Sequence, residues 1–147
     1  MRIAISSVDI NRKSALCAEL QRLYPFSTPE YIHQTPPEAF YYNSFSRSLR
    51  YHMRGDFITT NPLYDIYATV DKFINTDEKR FLNWMRILRK IRYTTLFYIP
   101  SEELMQEDSD LRLILDFFHA PYNILQGTIT EMVEQAIFVL GWHEKLN

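Results

Sequence analysis

Thr94-Thr95-Leu96-Phe97-Tyr98-Ile99 (TTLFYI) is an unbroken apolar and β-branched run, closed by Pro100. A strand with one wet face alternates polar and apolar residues. A run without alternation belongs to a strand covered on both faces, which is the condition of strands in parallel sheets flanked by helices. The segments on either side have the helical spacing this requires. Upstream, Phe81, Trp84, Leu88 and Ile91 mark one side of a helix over residues 77–92, with Thr76 or Asp77 as its cap. Before it, Asn61-Pro62 places a cap and an N-terminal proline ahead of a helix carrying Leu63, Ile66, Tyr67, Val70 and Phe73. Downstream, Leu111, Ile114, Leu115 and Phe118 give a helix over 108–118. A strand is expected at 122–125, and Thr128-x-x-Glu131 opens a last helix that buries Val133, Ala136, Ile137 and Leu140.

The N-terminal part follows the same alternation. Residues 2–5 form a short β-branched run, residues 14–23 have helical spacing up to Pro25, and residues 31–32 read as a short strand. Pro36-Pro37 opens a helix with Tyr41, Phe45, Leu49 and Met53 every fourth residue, and residues 56–59 give another strand. The expectation is one α/β domain over residues 1–147. It has three layers: a five-stranded, mainly parallel sheet with helices on both faces. Ligands of such sheets bind at the carboxyl ends of the strands, which directs attention to residues 6–14, 59–62, 100–112 and 126–128.

At 147 residues the chain is the size of one domain that can enclose a core unaided. A hydrophobic content of 46% with 23% charged residues fits a globular protein rather than a disordered one. The formal net charge of −2 gives no electrostatic case for nucleic acid or an anionic membrane. Cys17 is the single cysteine, so neither an internal disulfide nor a cysteine-built zinc site is available, and a cytoplasmic setting is expected. The four histidines have no metal-ligand spacing, and no metal site is inferred. The N-terminal apolar run is too short for a signal peptide.

The first strand leads into Ser6-Ser7-Val8-Asp9-Ile10-Asn11-Arg12-Lys13-Ser14, with a helix beyond. Lys-Ser at the head of the first helix after an N-terminal strand is where a phosphate-binding GxxxxGK[ST] loop keeps those residues. Here Ser7 and Arg12 stand at the two glycine positions, and Lys13-Ser14 remains. Side chains at those positions obstruct a backbone that has to wrap closely around phosphate.

Taken together, the segments resemble the small P-loop kinases of nucleosides and nucleoside monophosphates, including the minimal ones of bacteriophages. MRIAIS with KSALCAEL is similar to the family's first strand, P-loop end and first helix. FITTNPLYDIYA resembles its strand, Asp-Arg-Ser-Pro-Leu segment and following helix. TTLFYIP with DLRLILDFF resembles the fourth strand, lid and next helix. APYNILQGTITEMVEQAI resembles the closing strand, the loop beside the adenine base and the last helix. The departures fall at the site. Thr59-Thr60 stand in place of Asp-Arg, Asp65 sits one residue from the usual acidic position, and the lid is acidic with Arg112 as its basic residue. Phosphoryl transfer depends on positive charge around the transferred group.

The expectation is therefore a non-catalytic P-loop-kinase-like protein that acts by binding another protein, a virus-encoded regulator or inhibitor of a host protein in the host cytoplasm. Ser7, Arg12, Lys13 and Ser14 would be a vestigial phosphate site, and no cofactor is expected. The alternative is an active nucleoside or nucleotide kinase using ATP and magnesium, in which Lys13 neutralises phosphate, Ser14 holds the metal and Arg112 closes from the lid. A second alternative is a structural component of a larger assembly. Lys79, Arg86 and Lys90, a basic stripe opposite the apolar side of their helix, are the candidate partner-binding residues.

Overall fold

The computed structural model describes residues 1–24, 56–73 and 78–142. Four strands are found among them: β1 (Arg2–Ser6), β2 (Phe57–Thr59), β3 (Thr95–Tyr98) and β4 (Asn123–Ile124). They form one parallel sheet in the order β2-β1-β3-β4. The strand expected at residues 31–32 and the helix after it lie outside the described residues, so four of the five expected strands are seen. The internal position expected for residues 2–5 and 94–99 holds. β1 pairs with both β2 and β3, Ile3 facing Ile58 on one side and Thr95 on the other.

The helices are α1 (Ile10–Leu23), α2 (Leu63–Phe73), α3 (Glu78–Lys90), α4 (Gln106–Phe117) and α5 (Ile129–Leu140). The period of two along each strand divides them between the two faces. Ile3, Ile5, Phe97 and Ile99 pack with Leu16 and Leu20 of α1 and with Met132, Ala136 and Ile137 of α5. Ala4, Leu96 and Tyr98 point the other way, onto Leu63, Tyr64 and Ile66 of α2, Leu88 of α3, and Leu111 and Leu115 of α4. Both faces of β1 and β3 are thus dry, which is why their sequences do not alternate. Each large side chain so enclosed stabilises the fold by roughly 1.5–3 kcal/mol. Among the described residues, no helix is long and apolar enough to cross a membrane.

The helix expected at residue 14 begins a full turn earlier, at Ile10. Asp9 is the reason. Its backbone is extended, and its carboxylate accepts the Arg12 N–H at 3.0 Å, the geometry of a strong N-cap. Arg12, Lys13 and Ser14 therefore lie inside α1, and only residues 7–9 join β1 to it.

The other end of the molecule follows the sequence closely. Thr128 Oγ1 accepts the Glu131 N–H at 3.2 Å while the Glu131 carboxylate accepts the Thr128 N–H, the reciprocal capping box. Gly127 precedes it at φ +100°, a conformation that residues with a side chain rarely adopt, so the backbone there calls for glycine. Replacing Thr128 with alanine is expected to cost about 1 kcal/mol in equilibrium denaturation. An unchanged midpoint would show that the box contributes nothing to α5. Past Gly141, Trp142 packs against the layer of α1 and α5, its ring 5.5 Å from that of Tyr24.

Candidate active site

β1 ends at Ser6, whose side chain points toward the α2 face. Across from it α2 begins, anchored by the Leu63 N–H donating to the Tyr93 hydroxyl at 2.9 Å and the Ile66 N–H donating to the Pro62 carbonyl at 3.1 Å. These contacts bring Asp65, in the first turn of α2, against the end of β1. Its carboxylate accepts from the Ser6 hydroxyl, from the Ser7 N–H at 3.1 Å and from Lys13 Nζ at 3.2 Å. Lys13 belongs to α1 on the opposite face of the sheet, so its side chain crosses over the carboxyl end of β1 to reach Asp65. Both partners are buried, Lys13 7% and Asp65 6% exposed. Burial pushes the Asp65 carboxyl above the usual carboxylate range; Lys13, Ser6 and Ser7 pull against that without cancelling it.

The loop between β1 and α1 is held at several points. Ser7 Oγ donates to the Ile99 carbonyl at 2.9 Å and accepts the Asp9 N–H at 3.0 Å. Among the described residues, His119 is the single non-glycine with positive φ, so Ser7 and Arg12 do not adopt the backbone that a wrapped phosphate loop asks of glycine. The side chain at Arg12 is accommodated because the loop is short and does not wrap. Its guanidinium donates to the Pro100 carbonyl at 3.2 Å and the Gly127 carbonyl at 2.9 Å, with Glu102 at 3.8 Å. Arg12 thereby ties the loop after β3 to the loop after β4.

The other sequence candidates separate. Ser14 is exposed on α1 next to Lys13, and Thr59 is buried at the end of β2. Arg112 is on α4, beyond the acidic segment. Its guanidinium lies 5.9 Å from the centre of the Tyr98 ring, so its described partner differs from that of Lys13. The Tyr98 hydroxyl donates to Asp108, which also accepts the Ser101 N–H at 3.3 Å and so fixes the loop after β3. Arg86 and Lys90 are exposed on α3; the side chain of Lys79 is outside the described set. Ser6 and the pairing role of Asp65 were not apparent from the sequence. The signal present was an acid in the first turn of the helix after β2, one residue from the position where the resemblance seeks one.

Positive charge at this end of β1 comes from side chains rather than from a backbone cradle. The Arg12 N–H is already bonded to the Asp9 carboxylate, and the Lys13 N–H to the Asp9 carbonyl at 3.2 Å. The cations near this end of β1 are Lys13, paired with Asp65, and Arg12, bonded to the Pro100 and Gly127 carbonyls, with Ser14 exposed on α1 next to Lys13. Among the described residues, no three His, Cys, Asp or Glu side chains converge as a metal-binding set.

No protein-family model matches the chain, and no curated protein matches it by sequence. Solved structures do match by shape. Deoxyadenosine kinase from M. mycoides with bound dATP superimposes with a TM-score of 0.57 at 12% identity, covering 96% of this chain and 100% of that one. The chain shares that fold. The same kinase with bound dCTP gives a TM-score of 0.55 at 14% identity, covering 97% of this chain and 100% of that one. The YorR protein from Bacillus subtilis in complex with phosphorylated GDP gives 0.55 at 14% identity, with 97% of each chain covered. The resemblance in sequence to a kinase-like fold is thus matched in structure. The expectation of a non-catalytic, virus-encoded regulator acting by protein binding is overturned. The structural neighbours include deoxyadenosine kinases with nucleotides bound.

Proposed function

We propose that this chain is a nucleoside or nucleotide kinase that takes its phosphate from ATP and binds it at the carboxyl ends of β1 and β3. The observation that carries this reading is the buried Lys13, held over the end of the central strand of a sheet shared with deoxyadenosine kinases. ATP with magnesium supplies the phosphate to be transferred. Lys13 supplies the positive charge that a phosphate chain needs, and the adjacent Ser14 hydroxyl is the residue that would hold magnesium. Arg12, with its guanidinium fixed on the Pro100 and Gly127 carbonyls, holds the two flanking loops at a set separation and adds charge at the same mouth. Arg112, exposed on α4 with its guanidinium 5.9 Å from the centre of the Tyr98 ring, would add a further cation from the side of the acidic loop.

The test is a phosphorylation assay with ATP and magnesium on a panel of deoxynucleosides and nucleoside monophosphates. Product is expected from at least one of them, falling on the order of 100-fold or more in Lys13→Met, as when one charge-stabilising group is removed from an active site. A wild-type protein that phosphorylates none of the panel, or a folded Lys13→Met variant of undiminished rate, would falsify the proposal.

A further inference from the structure

Arg12 joins the three loops at the carboxyl ends of β1, β3 and β4. Its N–H donates to the Asp9 carboxylate in the loop after β1. Nη1 donates to the Pro100 carbonyl after β3 and Nη2 to the Gly127 carbonyl after β4, with Met132 Sδ 3.7 Å from Nη2. The side chain is 15% exposed, and Glu102, its described carboxylate neighbour, is 76% exposed at 3.8 Å. The loop after β4 is held from its other side as well. Gln135 on α5 accepts the Gln126 N–H at 3.1 Å and donates to the Gln126 carbonyl at 2.8 Å, while the Glu131 carboxylate accepts the Thr128 N–H. Residues 126–128 are thus bonded through their backbone to side chains of both α1 and α5. One of these tethers is a planar fork whose two ends go to different loops.

A loop fastened in this way is in place before a ligand arrives. Ligands of parallel sheets lie at the carboxyl ends of the strands, so a nucleotide with its phosphates at the adjacent Lys13 has these loops beside it. We propose that Arg12 and Gln135 are positioning residues which hold the loop of residues 126–128 ready as one wall of the nucleotide site. This rests on the kinase reading above. It adds that the residue at a glycine position of the phosphate-loop pattern works through the loops it fastens, by shape and not by charge alone. A loop that is competent about a tenth of the time binds its ligand about tenfold more weakly. Such a penalty falls on binding rather than on the transfer step, and so on KM more than on kcat. Lysine cannot take the place of the fork, because its ammonium is a point charge on a flexible stem. Glycine supplies neither charge nor tether.

Steady-state kinetics with ATP as the varied substrate, and amide hydrogen exchange of the ligand-free protein followed by NMR, test this. Arg12→Lys keeps the charge and loses the fork; it is expected to raise KM for ATP by about tenfold, with kcat changed much less. Arg12→Gly, which moves the segment toward the GxxxxGK pattern, should raise KM at least as far. Gln135→Ala should raise it as well, since it frees the same loop from the α5 side. In ligand-free Arg12→Lys, the Gln126 and Thr128 amides should exchange faster than in wild type. The Ala120 amide, bonded to the Leu115 carbonyl of α4, should exchange as before. A wild-type KM in Arg12→Lys or Gln135→Ala, or a lowered one in Arg12→Gly, overturns this inference and leaves the kinase reading standing. Unmoved exchange at Gln126 and Thr128 does the same. A wild-type protein that phosphorylates none of the panel overturns both.

Discussion

Asp65→Ala is expected to destabilise the protein by about 3–5 kcal/mol, one of the two largest effects anticipated for a single substitution. The loss does not measure the strength of the ion pair, because two charges removed from water recover little net free energy on meeting. It comes from leaving the Lys13 ammonium in a site where it is 7% exposed with its carboxylate gone. The Ser6 hydroxyl and the Ser7 N–H lose an acceptor in the same step. For a domain of this length the midpoint of thermal unfolding should fall by roughly 10 °C. The companion variant decides the cause. With Lys13→Met added, no buried charge is left unpaired, and a good part of the lost stability should return. The two sites would then be coupled by on the order of 1–3 kcal/mol, measured by denaturant unfolding of the four proteins of the cycle. If the two changes add independently, Lys13 and Asp65 do not share a charge balance, and the geometry at the end of β1 has been misjudged.

The second large effect is placed in β3. Phe97→Ala should cost about 3–5 kcal/mol, because the ring is fully enclosed between the sheet and the layer of α1 and α5. Neither helix can close into the void without breaking its own contacts with Ile3, Ile5 and Leu125. Phe138, 73% exposed on α5, is the control, and its truncation should fall within about 0.5 kcal/mol of wild type. Equal effects at the two positions in urea denaturation would mean that the TTLFYI run is not covered on both faces, and the layer assignment would fall with it.

The fold was legible because its decisive segment carries its environment in its composition. TTLFYI has no polar face, so it had to lie between two layers, and the capping box at Thr128 and the glycine at 141 punctuate α5 in a way that needs no tertiary information. The start of α1 was less legible. Residues 6–14 fit the frame of a phosphate loop, which takes residue 9 as loop, whereas Asp9 caps α1 and draws the helix back to Ile10. The site was legible by half. Lys13 stood out from its place after the first strand. Its partner is 52 residues away and on the other face of the sheet, and no local spacing relates the two. Arg12 posed the same difficulty in a sharper form. As a residue at a glycine position it read as an obstruction, whereas its hydrogen bonds run to carbonyls 88 and 115 residues distant, and only the assembled loops reveal it as a fastening.

The central place of β1 also governs how the chain comes to be folded. Its five residues leave the ribosome before either partner, for one partner strand begins at Phe57 and the other at Thr95. With synthesis at about 5–20 residues per second, roughly 5–20 seconds separate the appearance of β1 from that of β3. Through that interval the apolar run Ile3-Ala4-Ile5 has no neighbour on the β3 side, and α1 has at most part of a surface to pack on. Pairing that reaches across most of the chain is slow to form and late to reward the closure of the loops between. Assembly of the sheet therefore waits on β3, and of the four described strands β1 is the one that spends longest on the nascent chain without its partners.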